Sequence, residues 1–240
     1  MAQITVEEFR NFFKYYKDEE HQRRAVETLY DDIDCDFADH LDSESEWILQ
    51  YRNKQVEEAL PADTVLLKVP YQSQLDNESG TGYRECFSSS CAMVAMYYGK
   101  IADDDEYNLV RAKYGDSTDA AAQVQALREL GLEARFVTTG TTDDLRRLLN
   151  EGRPVPVGWL HKGPSSAPTG GGHWSVVIGY KTGTWIVNDP NGEAQLASGG
   201  YTKNTDGANQ QYSYKNWNPR WIVGGEGDGW YLDVKDPAKK

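Results

Sequence analysis

Apolar positions recur at helical spacing over the first sixty residues and as short runs or alternations afterwards, so the chain has two textures. Phe9, Phe12, Phe13 and Tyr16 follow a helical period behind Thr5 and Glu8, a capping-box pair, and predict a helix over 5–16. A second helix over about 20–33 would bury Ala25, Leu29 and Ile33. A third, over about 43–60, places Trp47, Leu49 and Tyr51 among charges and stops at Pro61. From Thr64 the apolar runs are short and separated by Gly, Pro, Asn and Asp. There the pattern predicts helices over Ser88–Tyr98, Asp119–Leu130 and Thr142–Asn150, each followed by a stopping glycine at Gly99, Gly131 or Gly152. Strands are predicted over Val65–Val69, Val155–Leu160, Trp174–Tyr180, Thr184–Asn188 and Gly229–Val234, with a hairpin turn at Lys181-Thr182-Gly183. Residues 199–229, rich in Gly and Asn, read as a long irregular surface loop, either a specificity element or a structural excursion. Helices precede strands instead of alternating with them, which favours an α+β fold: a helical accessory segment over 1–60 and a second domain over 61–240.

Charge sharpens this division. Residues 1–60 hold sixteen acidic and seven basic residues, a net of −9, which leaves −4 of the total −13 for the other 180. That balance excludes a nucleic-acid or anionic-lipid binder, since such partners select Lys and Arg patches. No run approaches the roughly 18 apolar residues that span a bilayer. The first residues have neither a basic start nor an apolar stretch of signal length, so synthesis in the cytoplasm is expected. Seven tryptophans and fifteen tyrosines supply large apolar surfaces, and Trp174, Trp185, Trp217, Trp221 and Trp230 read as core and sheet packing, with Trp159 and Trp174 as possible cleft walls.

Cysteine and histidine carry the candidate chemistry. Cys35, Cys86 and Cys91 are odd in number and form no CxxC pair, so neither a disulfide framework nor a zinc ribbon is expected. Cys91, Val94, Ala95 and Tyr98 share one helix face, which makes Cys91 a core thiol. Cys86 sits at the entry to a Ser-rich helix, where backbone N–H groups and the helix dipole favour a thiolate. A nucleophilic thiol needs a base and a group to orient it. His21 and His40 lie in the charged segment and read as solvated. His173 follows Gly170-Gly171-Gly172 and opens one strand, while His161 ends the preceding one and is the rival base. Asp189 follows the next strand, where an antiparallel pairing would bring it to His173; it reads equally as the Asx cap of the Pro190-Asn191-Gly192 turn. Asp31-Asp32-Ile33-Asp34 and Asp103-Asp104-Asp105-Glu106 lack the alternation of a calcium loop, and no metal or cofactor is expected.

Over residues 64–235 these motifs resemble the bacteriocin-processing (double-glycine) peptidase-like family of the papain superfamily. The resemblance is carried by Val69-Pro70-Tyr71-Gln72-Ser73-Gln74, Cys86 with Ser88 to Ser90 and Ala92-Met93, Gly152-Arg153-Pro154-Val155, Gly172-His173-Trp174 and Asn188-Asp189-Pro190, in that order. It implies a papain-like core in which Cys86 is the nucleophile, His173 the general base and acid, Asp189 the orienting group and Gln74 an oxyanion donor. Phe87 departs from the small or polar residue that relatives carry there, which puts the shape of the oxyanion pocket in question.

Residues 1–51 are similar to helical segments of phage and bacterial cell-wall lysins, through Glu8-Phe9-Arg10, Tyr15-Tyr16-Lys17 and Glu46-Trp47-Ile48-Leu49-Gln50-Tyr51. The leading expectation is therefore a phage-type lysin, reaching the bacterial wall after release and cleaving the peptide part of peptidoglycan through an acyl-enzyme. The alternatives are a cysteine endopeptidase acting on a polypeptide or leader, and a non-catalytic wall-binding or virion module.

Overall fold

In the computed structural model the described residues are 64–239. The helices expected within 1–60, together with His21, Cys35 and His40, lie outside the described residues. β1 (Val65–Leu66) is shorter than the run Val65–Val69: Leu67 still donates its N–H to the Ile178 carbonyl at 2.8 Å, but the Val69 N–H turns back to the Leu67 carbonyl at 3.0 Å and takes the chain out of the ladder. α1 (Cys86–Tyr97) begins two residues before Ser88, so Cys86 is its first residue. The acidic run at 103–106 turns out to be a helix start: Asp103 accepts from the Glu106 N–H at 2.8 Å and caps α2 (Asp104–Arg111). Asp119 caps α3 (Ala120–Glu129) in the same way.

β2 (Glu133–Gly140) is a strand that the apolar pattern does not mark. α4 (Thr142–Asn150) matches its expected range, fixed by a capping box between Thr141 and Asp144. β3 (Val155–Trp159), β4 (His173–Lys181) and β5 (Thr184–Asn188) follow as an antiparallel meander, with the hairpin at 182–183. The region 199–229 is not an irregular loop. β6 (Glu193–Ala194) pairs with β7 (Tyr201–Lys203), β8 (Gln210–Ser213) joins the main sheet, and α5 (Tyr214–Trp221) leads to β9 (Gly229–Lys235).

The main sheet has seven antiparallel strands in the order β2-β9-β3-β4-β5-β8, with β1 pairing beside Gly179 and Tyr180 of β4. Its central strands are covered on both faces. Val176, Ile178, Ile186, Leu232 and Val234 meet Phe87, Met93, Val94 and Leu127 on the α1–α3 side. Val155, Val157, Val177, Trp185 and Val187 meet Leu145, Leu148 and Leu149 of α4 and Trp217 and Trp221 of α5 on the other. Two-sided burial explains why these strands read as continuous apolar runs. It also explains α1, which buries every residue from Phe87 to Ala95 between the sheet and the other helices. Trp217 and Trp185 are core residues as expected, whereas Trp230 is 52% exposed. Among the described residues, no helix is long and apolar enough to cross a membrane.

Candidate active site

Antiparallel pairing of β4 with β5 sets Val176 opposite Asn188, so the start of β4 lies beside the chain that leaves β5. His173 and Asp189 meet there, with Nε2 to Oδ1 at 2.8 Å, and both are buried. Nε2 is thereby taken, which leaves Nδ1 for the ring's other partner, the Cys86 side chain. Cys86 comes from a different layer, at the first turn of α1, and is half-buried; Cys91 is buried, and neither thiol is bonded to the other. Burial pushes the Cys91 thiol up, so it is an inert core group as expected.

The electrostatics favour a charged imidazole. Burial by itself lowers the His173 pKa, but the Asp189 carboxylate and the Cys86 sulfur outweigh it and raise the value from 6.5 to about 10. His161, the rival, goes the other way. Its ring lies 5.9 Å from that of His173, and burial followed by repulsion from His173 lowers it to about 4. Among the described residues no carboxylate hydrogen-bonds to His161, and its buried Nδ1 has no hydrogen-bond partner. Of the two histidines, His173 is the one aligned between a thiol and a carboxylate. Trp159, directly opposite His173 in the β3–β4 register, meets its ring edge-on at 5.4 Å and ties its own indole Nε1–H to Ser175 Oγ at 2.9 Å. Trp159 is buried at the wall of the histidine.

Asp189 is both of the things its sequence context allows. Its Oδ1 accepts the Asn191 N–H at 3.0 Å, the Asx-turn bond, while also meeting His173. Two residues without a sequence signal for the site complete its surroundings. Tyr212 Oη donates to Oδ2 at 2.7 Å, and Tyr201 Oη lies 3.2 Å from Oδ2 and 3.3 Å from Oδ1. Burial, then the Asp189 charge, pushes both phenols well above their usual range, so each stays a neutral donor. Tyr71 Oη donates to the Asp189 carbonyl at 3.1 Å, and its pKa is raised to about 12, chiefly by burial.

The Val69–Gln74 motif is laced to the Asn188–Pro190 motif. Asn188 Nδ2 donates to the Val69 carbonyl at 3.2 Å and the Gln74 N–H to the Pro190 carbonyl at 2.9 Å. Gln74 is buried, with Nε2 donating to the Gly82 carbonyl at 2.8 Å and Oε1 unpartnered. Next to Cys86, Glu85 is a buried carboxylate. Hydrogen bonds from Asn77, Ser79 and Thr81 at 2.7, 2.7 and 2.8 Å overcome its burial and hold its pKa below the usual range. Phe87 is 1% exposed and packs into the core.

Among the described residues no group of His, Cys, Asp and Glu is arranged to hold a metal. The model of the Peptidase C39 like family matches residues 66–220. No curated protein matches the chain. Among solved structures, a C39-like peptidase from Bacillus anthracis superposes with a TM-score of 0.51 at 17% identity, covering 74% of this chain and 100% of that one. The double-glycine motif protease of an AMS/PCAT transporter, solved with its leader peptide, has a TM-score of 0.44 at 19% identity, covering 74% and 96%. The peptidase domain of the Streptococcus transporter ComA has 0.43 at 19%, covering 63% and 91%. The helices packed on an antiparallel sheet are thus the papain-like α+β arrangement.

Proposed function

The chain belongs to the Peptidase C39 like family and is a papain-like cysteine peptidase, and from that premise we propose that Cys86, His173 and Asp189 are its working groups and that its substrate is a polypeptide. The observation that carries the assignment is the His173–Asp189 contact at 2.8 Å with the Cys86 side chain on the remaining ring nitrogen. An imidazolium held against a thiol favours the thiolate, whose sulfur attacks the substrate carbonyl carbon. His173 then passes its Nδ1 proton to the leaving amine nitrogen as the C–N bond breaks, and a thioester remains on Cys86. Water, deprotonated by the same nitrogen, cleaves that thioester and restores the pair. Asp189 holds Nε2–H and so fixes the tautomer throughout.

Gln74 supports an oxyanion role through the second Nε2 hydrogen that Gly82 leaves over. With the Cys86 backbone N–H at the unpaired start of α1, it would stabilise the developing charge by about 3 kcal/mol per donor.

A polypeptide substrate is supported by membership of a peptidase family, whereas the peptidoglycan reading rests on residues 1–51, outside the described part. The test is to incubate the full chain, and Cys86→Ala, with reduced casein and separately with bacterial sacculi, and to map new amino termini. New termini in casein, absent with Cys86→Ala, are expected. Release from sacculi alone would replace the proposal by the lysin reading, and no release from either would favour a binding module.

A further inference from the structure

Asp189 has no contact with solvent, and its two carboxylate oxygens meet more donors than an orienting group requires for the histidine alone. Oδ1 serves His173 and the Asn191 N–H. Oδ2, which faces away from the histidine, is met by Tyr212 at 2.7 Å and Tyr201 at 3.2 Å. These tyrosines come from β8 and β7, strands in two different sheets, and they converge on the carboxylate, Tyr212 on Oδ2 alone and Tyr201 across both oxygens. Tyr212 is 2% exposed, so its hydroxyl is committed to the carboxylate. Tyr201 also stands edge-on to the His173 ring, with centroids 5.6 Å apart, and so touches both members of the pair.

We propose that Tyr212 and Tyr201 are positioning residues that clamp the Asp189 carboxylate, so that its other oxygen stays aimed at His173. The inference rests on the reading of Cys86, His173 and Asp189 as one site and adds two residues to it. The physical reason is geometric. A carboxylate can rotate about its terminal torsion, which is broad and roughly two-fold, and a hydrogen bond to the far oxygen removes that freedom. Two phenols that remain protonated donate to it without adding charge. Asp189 is anchored on a second side as well: its N–H donates to the Gly207 carbonyl at 2.8 Å and its carbonyl accepts from Tyr71. Backbone and side chain are therefore both held, and the site owes part of its alignment to the chain that follows the β4–β5 hairpin.

The experiment needs no substrate. Native full-length protein is alkylated with iodoacetamide across pH, and modification of Cys86 is followed by peptide mass mapping in wild type, His173→Ala, Tyr212→Phe, Tyr201→Phe and the double variant. In wild type Cys86 is expected to react faster at about pH 6 than it does in His173→Ala. Tyr212→Phe is expected to slow the reaction at that pH by about tenfold, and the double variant further, with the high-pH rate unchanged. A merely structural role would instead open the site and raise the rate at every pH. Tyrosine variants that match wild type, or that react faster throughout, overturn the clamp. If wild-type Cys86 itself behaves as an ordinary thiol in the presence of His173, the reading of the site fails before the clamp is reached. Should Tyr212→Phe lose its folded circular-dichroism signal, Tyr201→Phe alone decides, since it removes one hydroxyl from a half-buried ring.

Discussion

Phe87 and Trp174, the residues that directly follow Cys86 and His173, stack face to face with ring centroids 3.5 Å apart and planes 4° from parallel. The contact joins the first turn of α1 to the first residues of β4, so the thiol and the imidazole are carried by neighbours that are themselves locked together. Gly158 makes the arrangement possible: a Cβ there would lie 2.9 Å from the Trp174 ring, which lies across that strand position. Phe87→Ala should destabilise the protein by about 3 kcal/mol in urea unfolding, and Trp174→Ala by a similar amount. The double variant should cost less than the sum, because each single change already breaks the stack.

The proposed nucleophile and base are tested by hydrolysis. Cys86→Ala and His173→Ala should each abolish cleavage with little loss of fold, while Asp189→Ala should leave residual activity, because the thiol and ring remain. His161→Ala should remain active, since among the described residues no carboxylate hydrogen-bonds to His161, which lies beside the pair instead of within it. Cys91→Ala should change stability alone.

The two neighbouring histidines give opposite pH signatures. His173 is raised from 6.5 to about 10, so its stabilising contribution is complete below pH 6.5 and is lost as pH rises through about 10. His161 is lowered to about 4, so its contribution is complete above pH 6.5 and is lost as pH falls through about 4. The stability gap between wild type and His173→Gln should therefore narrow on the alkaline side, and that between wild type and His161→Gln on the acid side. Urea midpoints at several pH values check both. A His173 gap that grew with pH would contradict the ion-paired site.

Arg220 is fully buried and its guanidinium is met by backbone carbonyls: Leu196, Leu160, Lys162 and Gly163, at distances from 2.6 to 3.2 Å. It pins the chain that follows β3, including His161, to α5. Arg220→Lys keeps the charge but not the planar fork, and should cost about 3 kcal/mol by leaving buried carbonyls unpaired. Differential scanning calorimetry would register the loss as a lower Tm.

Gly207 packs against the Asp189 carbonyl so closely that a methyl group would overlap that oxygen and the Tyr71 hydroxyl. Gly207→Ala should displace the aspartate backbone and reduce kcat more than it raises KM, measured on whichever polypeptide the wild type cleaves.

Much of this architecture was readable from residue patterns, and the exceptions share a cause. Thr142–Asn150 was legible because its pattern ends at the stopping Gly152, and the structure adds a capping box between Thr141 and Asp144. The meander was legible because Trp185, Val187 and their neighbours are buried on both faces. α2 was not, because its inward face is Asp104, Tyr107, Asn108 and Arg111, polar positions at helical spacing that a hydrophobic pattern does not mark. Asp104 is a case in point: burial raises it to about 6, and Ser89 Oγ donates to it at 2.6 Å. α5 hides behind Asn216, Asn218 and Pro219, although Trp217, Arg220 and Trp221 are buried along one side. At the site, Cys86, His173, Asp189 and Gln74 stood out through local motifs. Tyr201 and Tyr212 could not, since nothing near them in the chain indicates that their hydroxyls end on a carboxylate 12 and 23 residues upstream.

The lacing of Tyr71 to Asp189 across 118 residues bears on biosynthesis. Contacts of such long sequence separation form late and slowly, because a large loop must close before they give any stabilisation. A ribosome that has released Cys86 and α1 has still to make the strand with His173 and the turn with Asp189. Until those arrive, the nascent chain carries a thiol with neither the His173 imidazole nor the Asp189 carboxylate beside it, so on the proposed assignment a growing peptidase of this build is unarmed while its own unfolded segments are still within reach.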